Sequence, residues 1–245
     1  MPLPPTFPVR LVAVRPLTPA VRELIFEREG APFDFAPGQW VSLSLPVGPD
    51  PARGLRRSYS IASAPDGSPR FELAVTHVEG GPGSTFLHQI EPGERLLATG
   101  PQGFFSRPHD QGIPSLFVAT GTGVTPLRSM LHAALARGAK EPLWLLLGTR
   151  HEEGLLYRDE FEALAARHPN VRLFFTLSQP AAGWTGLSGY VQLHVPALWD
   201  QLVTVGGAGA HLYICGLERM VREVRDVGRK QLGLGRDQVR SERFD

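Results

Sequence analysis

A change of rhythm near residue 110 constrains this chain more than any other feature of its sequence. Before it, apolar residues come in short or alternating runs, at 9–14, 21–27, 40–45, 58–61, 71–78 and 95–99. Pro37-Gly38, Asp66-Gly67, the glycines of 80–83 and Pro92-Gly93 punctuate these runs. Short strands separated by such turns predict an antiparallel barrel or sandwich, with one short helix over 84–90. After residue 115, apolar runs at 116–119, 143–147, 171–177 and 211–214 alternate with helical patterns at 126–137, 159–167 and 218–231. That alternation predicts a parallel sheet with helices on its faces. The polar stretch 106–114 is the expected boundary, giving domains 1–108 and 109–245.

Composition narrows the partners. With 25 basic and 24 acidic residues, the formal charge is +1, which argues against a broad footprint for nucleic acid or an anionic membrane. The single cysteine, Cys215, cannot form an internal disulfide, and a reducing compartment is expected. It also excludes an iron–sulfur cluster ligated wholly by these residues. Residues 1–8 hold four prolines and no positively charged segment, so no signal peptide is read there. No apolar run reaches the roughly 20 residues that span a bilayer. A soluble, cytoplasmic monomer is expected. The eight histidines show no ligand spacing, so no metal site is inferred. Trp144, Trp184 and Trp199 are read as packing residues.

Five segments carry chemical signals. In the first, an apolar run enters Gly121-Thr122-Gly123 and then Pro126. Glycine lets a ligand approach the backbone, and free amides at a helix start favour an anion; a plain strand–helix turn is the alternative. In the second, Arg57-Ser58-Tyr59-Ser60, Arg57 and Tyr59 would share one strand face and the serines the other. An arginine fork suits phosphate and a tyrosine can stack on a flat ring; an ordinary amphipathic strand is the alternative. The third, Gly80-Gly81-Pro82-Gly83-Ser84-Thr85, reads as an anion-binding helix start or simply a capped turn. Cys215-Gly216 ends an apolar run, where a buried, inert thiol is the plain reading. The tail, 241–245, reads by itself as a frayed end.

In this order, the motifs resemble the ferredoxin–NADP reductase family of flavoenzymes. The resemblance runs from Phe35-Ala36-Pro37-Gly38-Gln39-Trp40-Val41 to the tail, and takes in Gly100-Pro101-Gln102-Gly103-Phe104. It implies a six-stranded antiparallel Greek-key barrel holding FAD, followed by a five-stranded parallel α/β domain holding NAD(P)H. Arg57 would bind the flavin pyrophosphate, completed by Gly83, Ser84 and Thr85. Tyr59 would stack on the isoalloxazine, Ser60 would lie near its reactive nitrogen, and Thr122 would approach it. Cys215 would sit beside the nicotinamide, shaping hydride transfer without acting as a nucleophile. Glu242 matches an acid near the flavin, and Phe244 a terminal aromatic that covers it. Ser60, Cys215 and Glu242 are thus the implied catalytic residues. Ser58, Val75, Thr76, His77, Gly121, Gly123, Thr125, Arg150, Ser178 and Gly216 complete the implied cofactor contacts, His77 being readable equally as a surface histidine.

The sequence departs from the family at two places. Members that grip a 2′-phosphate carry arginines where this chain has Gln179 and Leu187, and only Arg150 matches. NADH is therefore slightly favoured, with NADPH open. Asp245 follows the aromatic instead of ending on it. The expected reaction moves hydride from NAD(P)H to bound FAD, then single electrons to a separate carrier such as ferredoxin, flavodoxin or another redox protein. An oxygenase reductase component, a free-flavin reductase and a non-enzymatic flavin-binding regulatory module are the alternatives.

Overall fold

The computed structural model describes residues 5–48, 54–108 and 112–244. The chain forms two compact units, Met1–Arg107 with Arg128–Ala133, and Pro108–Leu127 with Ala134–Asp245.

The first unit is built on β1 (Thr6–Thr18), β2 (Val21–Arg28), β3 (Trp40–Leu45), β4 (Leu55–Ser60), β5 (Arg70–Thr76), α1 (Pro82–Gln89) and β6 (Arg95–Gln102). The sheet order is β4-β3-β6-β1-β2-β5, and every pairing is antiparallel. Its two outer strands meet through a bridge between Ile61 and Leu73, reinforced by Ala62 N–H to Glu72 O at 2.8 Å, which closes the sheet into a barrel. Strand alternation fills the interior: Val9 and Leu11 from β1, Val41, Leu43 and Leu45 from β3, and Phe71 and Leu73 from β5 are all buried. Phe33 sits among Phe7, Phe35 and Phe71, with ring centroids 4.8–5.4 Å apart.

The second unit follows the order β7 (Ser115–Thr120), α2 (Val124–Ala136), β8 (Leu143–Thr149), α3 (Arg158–Arg167), β9 (Val171–Leu177), β10 (Leu187–Ser188), α4 (Val195–Gly206), β11 (His211–Leu217), α5 (Glu218–Asp226) and β12 (Val239–Phe244). The sheet is wholly parallel, ordered β10-β9-β8-β7-β11-β12. β7 and β8 are buried almost throughout, as strands covered on both faces are. One face is sealed by Val195, Leu198, Trp199 and Leu202 of α4 and by Met220, Val221 and Val224 of α5.

The fold class is the one expected, with differences of detail. The parallel sheet has six strands rather than five; beyond the four apolar runs read from the sequence it contains β12 and the two-residue β10. The tail is a strand, not a frayed end, because β12 pairs along β11 from Val239 to Phe244. Asp245 lies outside the described residues. The helix expected over 218–231 is α-helical only to Asp226; Val227–Gln231 winds as a wider π turn with Gly228 against Leu212 and Val239. α2 begins at Val124, so Pro126 occupies its first turn, where a missing N–H costs nothing. α4 was not expected at all. Among the described residues, no helix is long and apolar enough to cross a membrane.

Candidate functional site

In the first unit, two segments converge. β4 pairs with β3 by Leu43 to Arg57 and Val41 to Tyr59, with its other edge largely open, so it offers unpaired backbone groups as well as side chains. Arg57 is exposed and Tyr59 half-buried. Burial pushes the Tyr59 phenol up to about 12 against the opposing pull of Arg57, so it stays neutral in ordinary buffers. The start of α1 lies against this strand. A Cβ built on Gly83 would stand 3.1 Å from Leu45 Cδ1 and 3.3 Å from Arg57 Cγ, so any larger residue would need these side chains to give by a few tenths of an ångström.

Three features of this corner suit a pyrophosphate. The helix bonds begin at Thr85 N–H to Gly81 O, 3.0 Å, and the amides of Gly83 and Ser84 precede them without an intrahelical acceptor. No acidic side chain stands in the first turn. Among the described residues, the Arg57 guanidinium donates to the neighbouring Arg56 carbonyl at 2.9 Å and to no carboxylate. A helix start and an exposed arginine fork thus lie side by side, the chemistry an FAD diphosphate requires.

Not every expected residue offers its side chain. The Ser84 hydroxyl closes the loop on itself, accepting from Val78 N–H at 3.0 Å and donating toward Val78 O and Gly81 O. Ser58 bonds Ser42 across the opposite face at 2.9 Å. Ser60 is buried opposite Trp40. Val75 belongs to the barrel core, whereas Thr76 and His77 are exposed. Ser58, Val75 and Ser84 therefore have main chain, rather than free side-chain groups, to give a ligand.

In the second unit, the carboxyl ends of β7 and β11 interlock. A Cβ on Gly123 would fall 2.3 Å from Cys215 O, and one on Gly216 would fall 2.5 Å from Thr120 Oγ1. Gly121, at φ +53°, has nothing within 4 Å of its built Cβ and leaves the turn open to a ligand. Thr120 Oγ1 is buried without a hydrogen-bond partner, an orphan group at the strand end where parallel α/β sheets receive ligands. Thr120 stands outside the glycine motif, and its place in Ala119-Thr120-Gly121 is the one sequence signal for it. Thr125 is buried and its hydroxyl donates to Thr122 O at 2.8 Å, bracing the turn.

Cys215 is fully buried. Burial, reinforced by Glu242, holds its thiol well above the usual range, which favours the neutral thiol over the thiolate. Glu242 and Phe244 stand on β12 opposite Cys215 and Leu217. Arg150 and Ser178 lie just past the ends of β8 and β9, where Ser178 N–H to Thr149 O and Gln179 N–H to Arg150 O prolong the pairing. His151, also unforeseen, places Nδ1 3.0 Å from Gln179 O. Trp144 and Trp199 are core residues as expected; Trp184 is half-buried, its indole N–H donating to Leu187 O at 2.8 Å.

A closed barrel with a corner suited to a diphosphate and a parallel sheet with an open glycine turn are the frame of a flavin–nicotinamide oxidoreductase, and the family matches agree. Residues 8–106 match the oxidoreductase FAD-binding domain and residues 117–226 the oxidoreductase NAD-binding domain. The chain is 56% identical over 241 residues to ferredoxin--NADP reductase B of Sorangium cellulosum (strain So ce56), covering 98% of each. It is 34% identical over 208 residues to DmpP, the phenol 2-monooxygenase reductase component of Pseudomonas sp. (strain CF600), covering 84% of this chain and 56% of that one. The structure of a ferredoxin NADP+ reductase from Neisseria gonorrhoeae with bound FAD and NADP superposes with a TM-score of 0.80 at 22% identity, over 97% of this chain and 98% of that one, a likeness of fold. The chain belongs to the ferredoxin–NADP reductase family. It is an oxidoreductase that uses FAD and NAD(P)H.

Proposed function

We propose that this protein passes electrons from a nicotinamide nucleotide to a separate one-electron carrier, ferredoxin or flavodoxin, in the cytoplasm and as a monomer, with the domain boundary at 108/109. The observation that carries the FAD site is the apposition of Arg57 with Gly83 at the start of α1. Bound FAD supplies the chemistry, taking two electrons together as hydride and releasing them singly.

The protein's own groups bind, orient and exclude. Arg57 and the amides of Gly83 and Ser84 hold the diphosphate. Neutral Tyr59 offers a flat face without a competing charge. Gly121 admits the nucleotide's phosphates and Gly123 lets the ends of β7 and β11 interlock beneath the turn, with Thr120 Oγ1 as a donor or acceptor in reach of the same turn. Cys215, a neutral thiol, keeps the nicotinamide's surroundings uncharged and unreactive. Ser60 and Glu242 are assigned to the flavin ring and Phe244 to covering it. Hydride transfer depends on two rings held at contact distance, so orientation matters more here than acid–base strength.

Anaerobic titration of the FAD-loaded protein with NADH and, separately, NADPH tests this reading. Bleaching of the flavin band by either nucleotide is expected, and the tighter one decides how far Gln179 and Leu187 set the choice against Arg150. Bound FAD that neither nucleotide bleaches would leave a flavin-binding module. A second reading, an oxygenase reductase component, is favoured by the similarity to DmpP. Cytochrome or ferredoxin reduction against reduction of an oxygenase component separates the two.

A further inference from the structure

His88 lies in the last turn of α1, away from Arg57 and the glycine turn. Its Nε2 is 2.9 Å from the carbonyl of Val75 on β5. Its own carbonyl accepts a hydrogen bond from the guanidinium of Arg22 on β2. Arg22 and Val75 are themselves partners in the β2–β5 ladder. One residue therefore fastens α1 to two adjacent strands, once by side chain and once by main chain. The carbonyl of Val75 can only accept, so Nε2 carries the hydrogen.

The residues joined in this way flank the FAD site. Directly after Val75 come Thr76 and His77, exposed at the end of β5; at the far end of α1 come Gly83, Ser84 and Thr85. The connecting residues 77–80 are exposed. The loop is closed at one end by Ser84 on Val78 and at the other by His88 on Val75. His77 packs its ring 5.1 Å from that of His88, on the same side of the tether.

We propose that His88 is a positioning residue for FAD: its Nε2–H bond to Val75 fixes the helix start that meets the diphosphate relative to the end of β5. The inference rests on the reading of these two segments as the FAD site. Without the bond, α1 keeps its buried Leu87 anchor but gains freedom to pivot about it.

The test is FAD release from the purified holoprotein on dilution, followed as the recovery of free-flavin fluorescence, for wild type, His88→Leu and His88→Gln. Leucine removes the donor while keeping bulk; glutamine returns an N–H at similar reach. His88→Leu is expected to weaken FAD by about tenfold, and His88→Gln to recover most of that loss. Binding of adenosine nucleotides to the second unit, measured by calorimetry, stays unchanged in both. Wild-type retention by His88→Leu overturns the proposal, as does a His88→Gln variant no better than leucine. If His88→Leu does not fold, His88→Asn, too short to span to Val75, takes its place in the same comparison. A wild-type protein that holds no FAD at all would instead remove the FAD-site reading itself, and this inference with it.

Discussion

Cys215 and Glu242 face each other across the parallel ladder of β11 and β12. A carboxylate beside a buried thiol opposes ionisation of that thiol, adding to the effect of burial. Cys215 is therefore expected to resist alkylation and disulfide reagents in the native protein and to react fully once denatured. Thiol counting with and without urea checks this. Fast native labelling at neutral pH would contradict the buried, neutral thiol. Cys215→Ser should leave the fold intact and slow flavin reduction by about 10- to 100-fold, the scale on which small misplacements act.

Gly123 has no room for a side chain, because its built Cβ meets the backbone of Cys215 and Gly216 at 2.3–2.5 Å. Backbone cannot swing aside as a flexible side chain can. Gly123→Ala is expected to destabilise the protein by about 1–3 kcal/mol. It should also weaken nucleotide binding, since β7 and β11 must separate to accept the methyl group. Urea unfolding and calorimetry with NADP+ measure the two effects; a neutral alanine would mean the strand ends are more yielding than their packing implies.

Arg57 is exposed, and its alanine variant should fold as well as the wild type. FAD affinity should fall by about 10- to 100-fold, the loss expected for a charge-assisted hydrogen bond. Arg57→Lys should recover part of it, because lysine restores charge without the fork. Equal affinity in all three proteins would move the diphosphate elsewhere.

His88 is expected to make the protein's stability fall in acid. Burial lowers its pKa from the ordinary 6.5, helped by His77 and Arg22 and opposed by the Val75 hydrogen bond. The unfolded chain therefore takes up a proton at higher pH than the folded one. Stability from this group is complete above about pH 6.5 and is lost as pH falls from there toward the lowered folded value. Unfolding midpoints of wild type and His88→Gln between pH 8 and pH 5 should converge on the acid side, where the histidine begins to carry its penalty. Parallel curves would remove His88 from the pH dependence.

The legible parts of the fold were those whose pattern is local. Trp40–Leu45 alternates buried and half-buried residues, and its strand is the one read from sequence. β12 was not legible, because Arg240-Ser241-Glu242-Arg243 has no apolar alternation; the ladder with β11 makes it a strand. α4 did carry a signal, Val195, Leu198, Trp199 and Leu202 at helical spacing, but Pro196 reads as a breaker unless it is placed in the first turn. In the site, Arg57, Tyr59 and Gly83 were visible as types suited to phosphate and ring. That Ser84 bonds Val78, that Thr125 caps its own turn and that Thr120 is left unpartnered are facts of tertiary geometry.

The barrel's first strand is stitched to its last, Thr6 opposite Thr99 and Arg10 opposite Arg95. A ribosome making this chain at about 5–20 residues per second leaves β1 without its β6 neighbour for several seconds. Over that interval one edge of β1 is open to β-strand pairing with any other nascent chain nearby. The barrel cannot close, and its cofactor corner cannot form, until the last strand is made and covers that edge.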